Sequence, residues 1–69
     1  MKLSARNQIK GVIKEINVGA VNSIVVLDIG AGNQVTATIS NDSVKDLDLK
    51  VGSNAYAVVK STSVMVGVD

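Results

Sequence analysis

Short apolar stretches separated by turn residues run through the chain and predict a β-rich fold. The stretches are rich in β-branched residues, and one of them, residues 34–39, alternates strictly between apolar and polar positions. The pattern is irregular between Val12 and Ile13, which predicts a β-bulge there. Five stretches are expected as strands: residues 9–18, 21–29, 34–39, 55–59 and 64–68.

Two kinds of connection separate these strands. Gly19-Ala20 predicts a turn, and residues 30–33, with two glycines free to adopt positive φ, predict a hairpin. The connection after residues 34–39 is of the second kind. It begins at Ser40 with cap-forming residues and then places Val44 and Leu47 three apart, which predicts one or two helical turns with Ser40 at the N-cap. A helix between strands three and four of five short strands predicts an all-β fold, a five-stranded OB-like β-barrel.

Composition constrains how such a barrel is stabilised. The chain has 69 residues, so we expect a single domain, residues 1–69, that buries only about 60% of its unfolded surface. It contains no Cys and no His, so neither a disulfide framework nor a zinc cluster is available, and no bare metal cation is expected. Because 46% of the residues are hydrophobic, we expect a homo-oligomer that buries further apolar surface.

Charge and aromatic content argue against several partners. The net charge of +1 is too weak to indicate a polyanion, and Tyr56 is the only aromatic residue, whereas proteins that bind single-stranded nucleic acids use several stacking aromatics. No stretch approaches the roughly 18 apolar residues of a membrane span, and the N-terminus lacks the apolar core of a signal peptide. We therefore expect no nucleic-acid or membrane partner and a cytoplasmic location.

Most of the chemically useful side chains lie in two polar tracts, S-A-R-N-Q near the start and K-S-T-S near the end. Arg6 and Lys60 lie there among hydroxyls and amides rather than carboxylates. The predicted helix start adds Ser40 and Ser43, three apart and next to unpaired backbone N–H groups. Many hydrogen-bond donors without competing negative charge favour a site for a small anion.

Each of these residues also has an ordinary structural role. Taken alone, Ser40 is typical of a helix cap and Ser43 of a solvated first turn, where Asp42 would repel an anion if it pointed inward. Arg6 alone is typical of an arginine that covers apolar surface with its stem, and Lys60 of an exposed lysine at a strand end. The combination of two cations and several hydroxyls favours the anion site over these separate roles.

Three motifs together carry a resemblance to a known family. They are S-A-R-N-Q-I-K-G beginning at Ser4, I-S-N-D-S-V beginning at Ile39, and V-K-S-T-S-V-M beginning at Val59. In order and approximate spacing they resemble the motifs of the molbindins, small Mop-domain proteins that bind molybdate and tungstate. The resemblance covers essentially the whole chain. It implies an OB-like barrel that assembles as a hexamer, a trimer of dimers, with oxyanions between the subunits.

The resemblance also implies site residues by position. One subunit would supply Ser40, Ser43, Lys60 and Ser61, and a neighbour would supply Ser4 and Arg6. Family members often have Thr at the position of Ser40, which keeps the hydroxyl.

A second site, on a threefold axis, would use main-chain groups, and its candidate is the turn Gly19, Ala20, Val21 and Asn22. Molybdate or tungstate is the implied ligand, no covalent cofactor is expected, and the implied role is intracellular molybdenum storage or homeostasis.

Two functions of other classes remain as alternatives. A structural oligomerisation module without a ligand predicts a stable assembly that molybdate does not affect. A nucleic-acid-binding OB module predicts salt-sensitive association with oligonucleotides. Catalysis is not expected, because no residue pair suggests a nucleophile with its general base. A pterin ligand has little support, since Tyr56 alone does not form an aromatic platform.

Overall fold

The computed structural model describes all residues, 1–69, as one curled antiparallel sheet with a short helix. The elements in chain order are β1 (Asn7–Val18), β2 (Asn22–Gly30), β3 (Asn33–Ser40), α1 (Asn41–Asp46), β4 (Asn54–Val59) and a 3₁₀ turn (Ser61–Ser63). The strand order is β3-β2-β1-β4, and the sheet forms an open half-barrel. No helix has the length and apolar character needed to span a membrane.

The predicted turns and irregularities lie close to their expected places. The β1–β2 register shifts between Ile13 and Glu15, so the bulge lies just beyond the predicted position. The β2–β3 hairpin takes positive φ at Gly30 (97°), Ala31 (53°) and Gly32 (77°), as its two glycines predict. The first four strands and the helix are thus confirmed, with boundaries within two residues of those predicted.

Gly11 of β1 lies directly against the main chain of β2. A Cβ atom placed on this residue would lie 2.7 Å from the Asp28 carbonyl oxygen. Because real Cβ atoms do not approach backbone oxygen so closely, only glycine fits here without a shift of one strand. Gly11 is therefore a packing requirement of the curled sheet, and it is itself buried.

The core is small and lies on the concave face of the sheet. It consists of Ile13, Val25, Leu27 and Ala57. Only 7 of 69 residues are buried, so the isolated chain leaves much of its apolar surface in water. The large hydrophobic residues that remain exposed are Met1, Leu3, Ile9, Val12, Val18, Val21, Ile24, Leu47, Val51, Tyr56, Val58, Val64, Met65, Val66 and Val68.

The fifth strand predicted over residues 64–68 is not formed, which corrects the predicted strand count. After the 3₁₀ turn the backbone is extended at Val64 (φ −90°, ψ 128°), but it pairs with no other strand. The Val64 N–H bonds to the Ser61 carbonyl oxygen at 3.3 Å, within the turn itself. An apolar alternation predicts an extended conformation but does not supply a pairing partner, and within this chain the segment remains exposed.

Candidate functional site

The start of α1 presents a pair of serine hydroxyls. Ser40 is the N-cap, in extended conformation, and its Oγ accepts a hydrogen bond from the Ser43 backbone N–H at 3.0 Å. The Oγ atoms of Ser40 and Ser43 lie 2.8 Å apart and share a hydrogen bond. The pair has two hydroxyl protons, of which this bond uses one, so the second remains available to an acceptor outside the pair. The predicted cap at Ser40 is confirmed.

Asn41 joins this helix start to the β1–β2 turn. Its backbone N–H donates to the Val21 carbonyl oxygen, and its Nδ2 donates to the Gly19 carbonyl oxygen, both at 2.9 Å. Its Oδ1 accepts a hydrogen bond from the hydroxyl of Ser23, which is buried. Sequence reasoning treated Asn41 only as one of several cap formers. Its role depends on the pairing of Asn22 with Ser40, which brings the turn beside the helix.

The β1–β2 turn is tight and exposes its main chain. The Gly19 N–H donates to the Asn22 carbonyl oxygen at 2.8 Å, and a Cβ on Gly19 would lie 2.6 Å from that same oxygen. Ala20 and Val21 are exposed at its tip, Val21 with 72% of its surface accessible. The four candidate residues of the threefold-axis site therefore form one exposed turn held by Asn41.

The two candidate cations flank the outer end of the β1–β4 ladder. Asn7 pairs with Val59 there, and Asn7 Nδ2 donates to the Val59 carbonyl oxygen at 3.2 Å. Arg6 precedes Asn7 and Lys60 follows Val59, so both leave the ladder at the same end. Both are exposed, as are Ser4 and Ser61, and none of these four side chains forms a hydrogen bond within the chain.

This end of the sheet has no negative side chain to neutralise its cations. The only salt bridge in the chain joins Lys50 and Asp48 at 3.7 Å, and both of those side chains are largely exposed. The segments that meet at the ladder end, residues 1–7 and 59–64, contain Lys2, Arg6 and Lys60 and no carboxylate. The result is a local positive potential on a protein of net charge +1.

The serine pair and the cations lie at opposite ends of β1. Ser40 pairs with Asn22 at the start of β2, and this end of β2 pairs with the Val18 end of β1. The cations lie beside Asn7, at the other end of β1. β1 has 12 residues, so the two groups are separated by the length of this strand. One chain therefore does not bring all six candidate residues together. The strand pairing places Lys60 beside Arg6 at one end of the ladder of one chain, whereas the resemblance assigns these two residues to different subunits.

Comparison with known proteins identifies the family. The TOBE domain model matches residues 3–66. A Haemophilus influenzae protein named "Probable molybdenum-pterin-binding protein" is 56% identical over 69 residues, the full length of both chains. MopII from Clostridium pasteurianum has a similar structure, with a TM-score of 0.90 and 48% identity over 97% of this chain and 100% of that chain. ModG, a cytoplasmic molybdate-binding protein with molybdate bound, gives a TM-score of 0.92 and 40% identity over 100% of this chain and 49% of its own.

The structure and these comparisons define a small OB-like Mop domain. The chain belongs to the TOBE domain family and, within it, to the molybdenum-pterin-binding proteins, the molbindins. This confirms the resemblance carried by the three sequence motifs, and it confirms the OB-like fold class.

Proposed function

We propose that this protein binds molybdate reversibly between the subunits of a homo-oligomer. The observation that carries the proposal is the pair of unneutralised cations, Arg6 and Lys60, at one end of the sheet. Two exposed cations with no carboxylate nearby repel each other, and a bound dianion relieves that repulsion. The names of the relatives agree, since they are molybdenum-pterin-binding proteins and a molybdate-bound ModG.

The strand pairing suggests how two subunits divide the site. One subunit supplies the cationic part, with Arg6 and Lys60 and the nearby hydroxyls of Ser4 and Ser61. A neighbouring subunit supplies the Ser40–Ser43 hydroxyl pair from the opposite end of its own sheet. Because the two parts lie at opposite ends of β1 in a single chain, the complete site needs two chains. The exposed apolar surface of the isolated chain supports such an assembly.

The chemistry of the donors fits a tetrahedral dianion. Molybdate offers only acceptors, and the site offers a guanidinium fork, an ammonium group and hydroxyls, all of which donate. Hydrogen bonds from a charged donor contribute roughly 1.5–3 kcal/mol each. A protonated phosphate has an O–H group, which would point a hydrogen-bond donor at a donor of the site. Sulfate has no such proton, but it is smaller than molybdate and would fit loosely. Tungstate has nearly the size and charge of molybdate and should bind almost equally well.

The turn of Gly19, Ala20, Val21 and Asn22 is proposed as a second, main-chain oxyanion site on a threefold axis. Its support is that the turn is exposed and that Asn41 hydrogen-bonds to it at Gly19 and Val21. A hexamer built as a trimer of dimers would bring three such turns together. The whole assembly would store or buffer molybdenum in the cytoplasm and would catalyse no reaction.

Isothermal titration of the purified protein with sodium molybdate tests this function, with sulfate as the matched control anion. We expect saturable molybdate binding, weak sulfate binding and similar affinity for tungstate. A well-folded oligomer that gives neither heat nor a thermal shift with molybdate would contradict the proposal.

The structural oligomerisation module is the second candidate. One observation favours it, because the hydroxyls of Ser40 and Ser43 already bond to each other as in an ordinary helix cap. The module predicts that molybdate does not bind, and that replacing Arg6 and Lys60 together leaves the assembly unchanged. Salt-sensitive binding of oligonucleotides in the same titration would instead support a nucleic-acid-binding module.

A further inference from the structure

A cavity of about 210 Å³ lies between α1 and the end of the sheet that carries the β1–β2 turn. Three of its lining residues come from α1, at positions i, i+3 and i+4, and therefore share one face of the helix. The lining residues are Val18, Ser23, Asn41, Val44 and Lys45, of which only Lys45 is charged. The cavity adjoins the turn, because Val18 directly precedes Gly19 and Asn41 donates a hydrogen bond to the Gly19 carbonyl oxygen.

The turn itself presents two main-chain donors that have no partner in the chain. The Gly19 N–H donates to the Asn22 carbonyl oxygen, but the N–H groups of Ala20 and Val21 form no hydrogen bond. Both residues are exposed. Successive N–H groups in a turn favour an anion. They carry only partial charges, however, so they do not neutralise a dianion, and a site built on them needs a cation.

Lys45 is a cation beside the turn that no other group in the chain uses. Its ammonium group forms neither a salt bridge nor a hydrogen bond, although Asp42 and Asp46 lie on the same helix. Helix capping does not require it either, because the carbonyl oxygens of Ser43, Val44 and Lys45 already accept main-chain N–H groups. The ammonium group is therefore available to a ligand.

We propose that Lys45 is a binding residue of the oxyanion site at the turn, where its ammonium group supplies the charge that the N–H groups of Ala20 and Val21 lack. Side chains on a helix lean towards its N-terminus, so Lys45 leans towards Asn41, which lies one helical turn, or about 6 Å, before it. The four-carbon stem of a lysine spans that distance, and Asn41 is itself bonded to the turn. The inference rests on the second oxyanion site proposed above, and it adds a charged side chain to the main-chain groups of that site.

The composition of the turn makes this charge necessary. Residues 19–22 have no charged side chain, and the cationic pair of Arg6 and Lys60 lies at the other end of β1. Each turn on the proposed threefold axis would bring its own Lys45. The anion would therefore meet full positive charges as well as main-chain donors.

An NMR titration of the whole protein with sodium molybdate follows the two proposed sites separately. The amides of Ala20 and Val21 report on the turn, and the amide of Ser61 reports on the shared site. In Lys45→Gln we expect the molybdate concentration that half-saturates the Ala20 and Val21 shifts to rise about 10-fold, the effect of losing one charge-assisted hydrogen bond. The Ser61 response should stay unchanged. Lys45→Arg keeps the charge and should restore binding at the turn.

Lys50→Gln is the matched control, because it removes the same charge from an exposed lysine that does not line the cavity, and we expect it to bind as the unaltered protein does. Equal half-saturation of the turn amides in Lys45→Gln and Lys50→Gln would overturn the inference. A response at Ser61 without one at Ala20 and Val21 would also overturn it, while the shared site would stand. If no amide of the unaltered protein responds to molybdate, the proposed function fails and the inference fails with it.

Discussion

Asn7 and Val59 form the last pair of the β1–β4 ladder, and the Asn7 side chain donates a hydrogen bond to the Val59 carbonyl oxygen at 3.2 Å. This bond closes the end of the ladder and fixes where the two chain segments leave it. Arg6 and Lys60, far apart in sequence, are thereby held at one end of the sheet. The cationic part of the proposed site is thus a consequence of strand register.

Arg6→Ala should weaken molybdate binding without unfolding the barrel. The guanidinium is exposed and forms no salt bridge, so its removal leaves no buried group unpaired. Loss of a charge-assisted hydrogen bond of roughly 1.5–3 kcal/mol corresponds to an increase of about 10- to 100-fold in Kd. Titration calorimetry measures the change. Lys50→Ala, which removes a cation outside the proposed site, is the control, and an equal loss in both variants would argue against a specific role for Arg6.

Alanine substitutions at Ser40 and Ser43 should distinguish the contribution of these serines to helix capping from their contribution to molybdate binding. Ser40→Ala removes the acceptor of the Ser43 N–H, and loss of such a cap costs about 0.5–2 kcal/mol of stability. Ser43→Ala keeps that backbone bond and removes only a hydroxyl, so it should weaken molybdate binding with little change in stability. Urea unfolding and titration of both variants check this. Equal loss of stability in the two would show that the hydroxyl pair serves the cap alone.

Gly11→Ala should destabilise the sheet. The added Cβ would lie 2.7 Å from the Asp28 carbonyl oxygen, so β1 and β2 must move apart, and overpacking of this kind costs about 1–3 kcal/mol. Chemical denaturation gives the free energy of unfolding. Lys10→Ala changes the neighbouring exposed residue of the same strand and should stay within about 0.5 kcal/mol of the unaltered protein. A Gly11→Ala protein of normal stability would contradict the close approach of the strands.

Asn41→Asp should loosen the β1–β2 turn more than the helix. The aspartate keeps an acceptor for the Ser23 hydroxyl but replaces the donor to the Gly19 carbonyl oxygen with a second oxygen. Two acceptors face each other there, so we expect faster amide exchange at Gly19 and weaker binding of any oxyanion at this turn. Hydrogen exchange followed by NMR is the measurement. Protection at Gly19 equal to that of the unaltered protein would show that Asn41 does not hold the turn.

Local patterns were sufficient to predict most of the fold. The alternation of Val35, Ala37 and Ile39 and the hairpin glycines depend on neighbours in sequence, and the structure agrees with both. The fifth strand was predicted wrongly because pairing is a property of two segments, and residues 64–68 have no partner within the chain.

The site was harder to predict because its parts depend on register. The sequence indicates that Arg6, Lys60, Ser40 and Ser43 are suited to an anion, but not which of them share one end of the sheet. The grouping of Arg6 with Lys60 follows from the Asn7–Val59 pair, which no local pattern encodes. Asn41 was missed for the same reason, since its partners Gly19 and Ser23 are neighbours only after β2 and β3 have paired.

Subunit complementation tests the shared oxyanion site most directly. One chain carries Arg6→Ala and Lys60→Ala, and the other carries Ser40→Gly and Ser43→Ala, because glycine is tolerated at an N-cap. Each alone should have lost tight molybdate binding. When the two are unfolded and refolded together, some interfaces combine the intact cations of one chain with the intact hydroxyls of the other. We predict that calorimetry then recovers tight binding at a fraction of the sites. A mixture that binds no more molybdate than its parents would contradict a site shared between subunits.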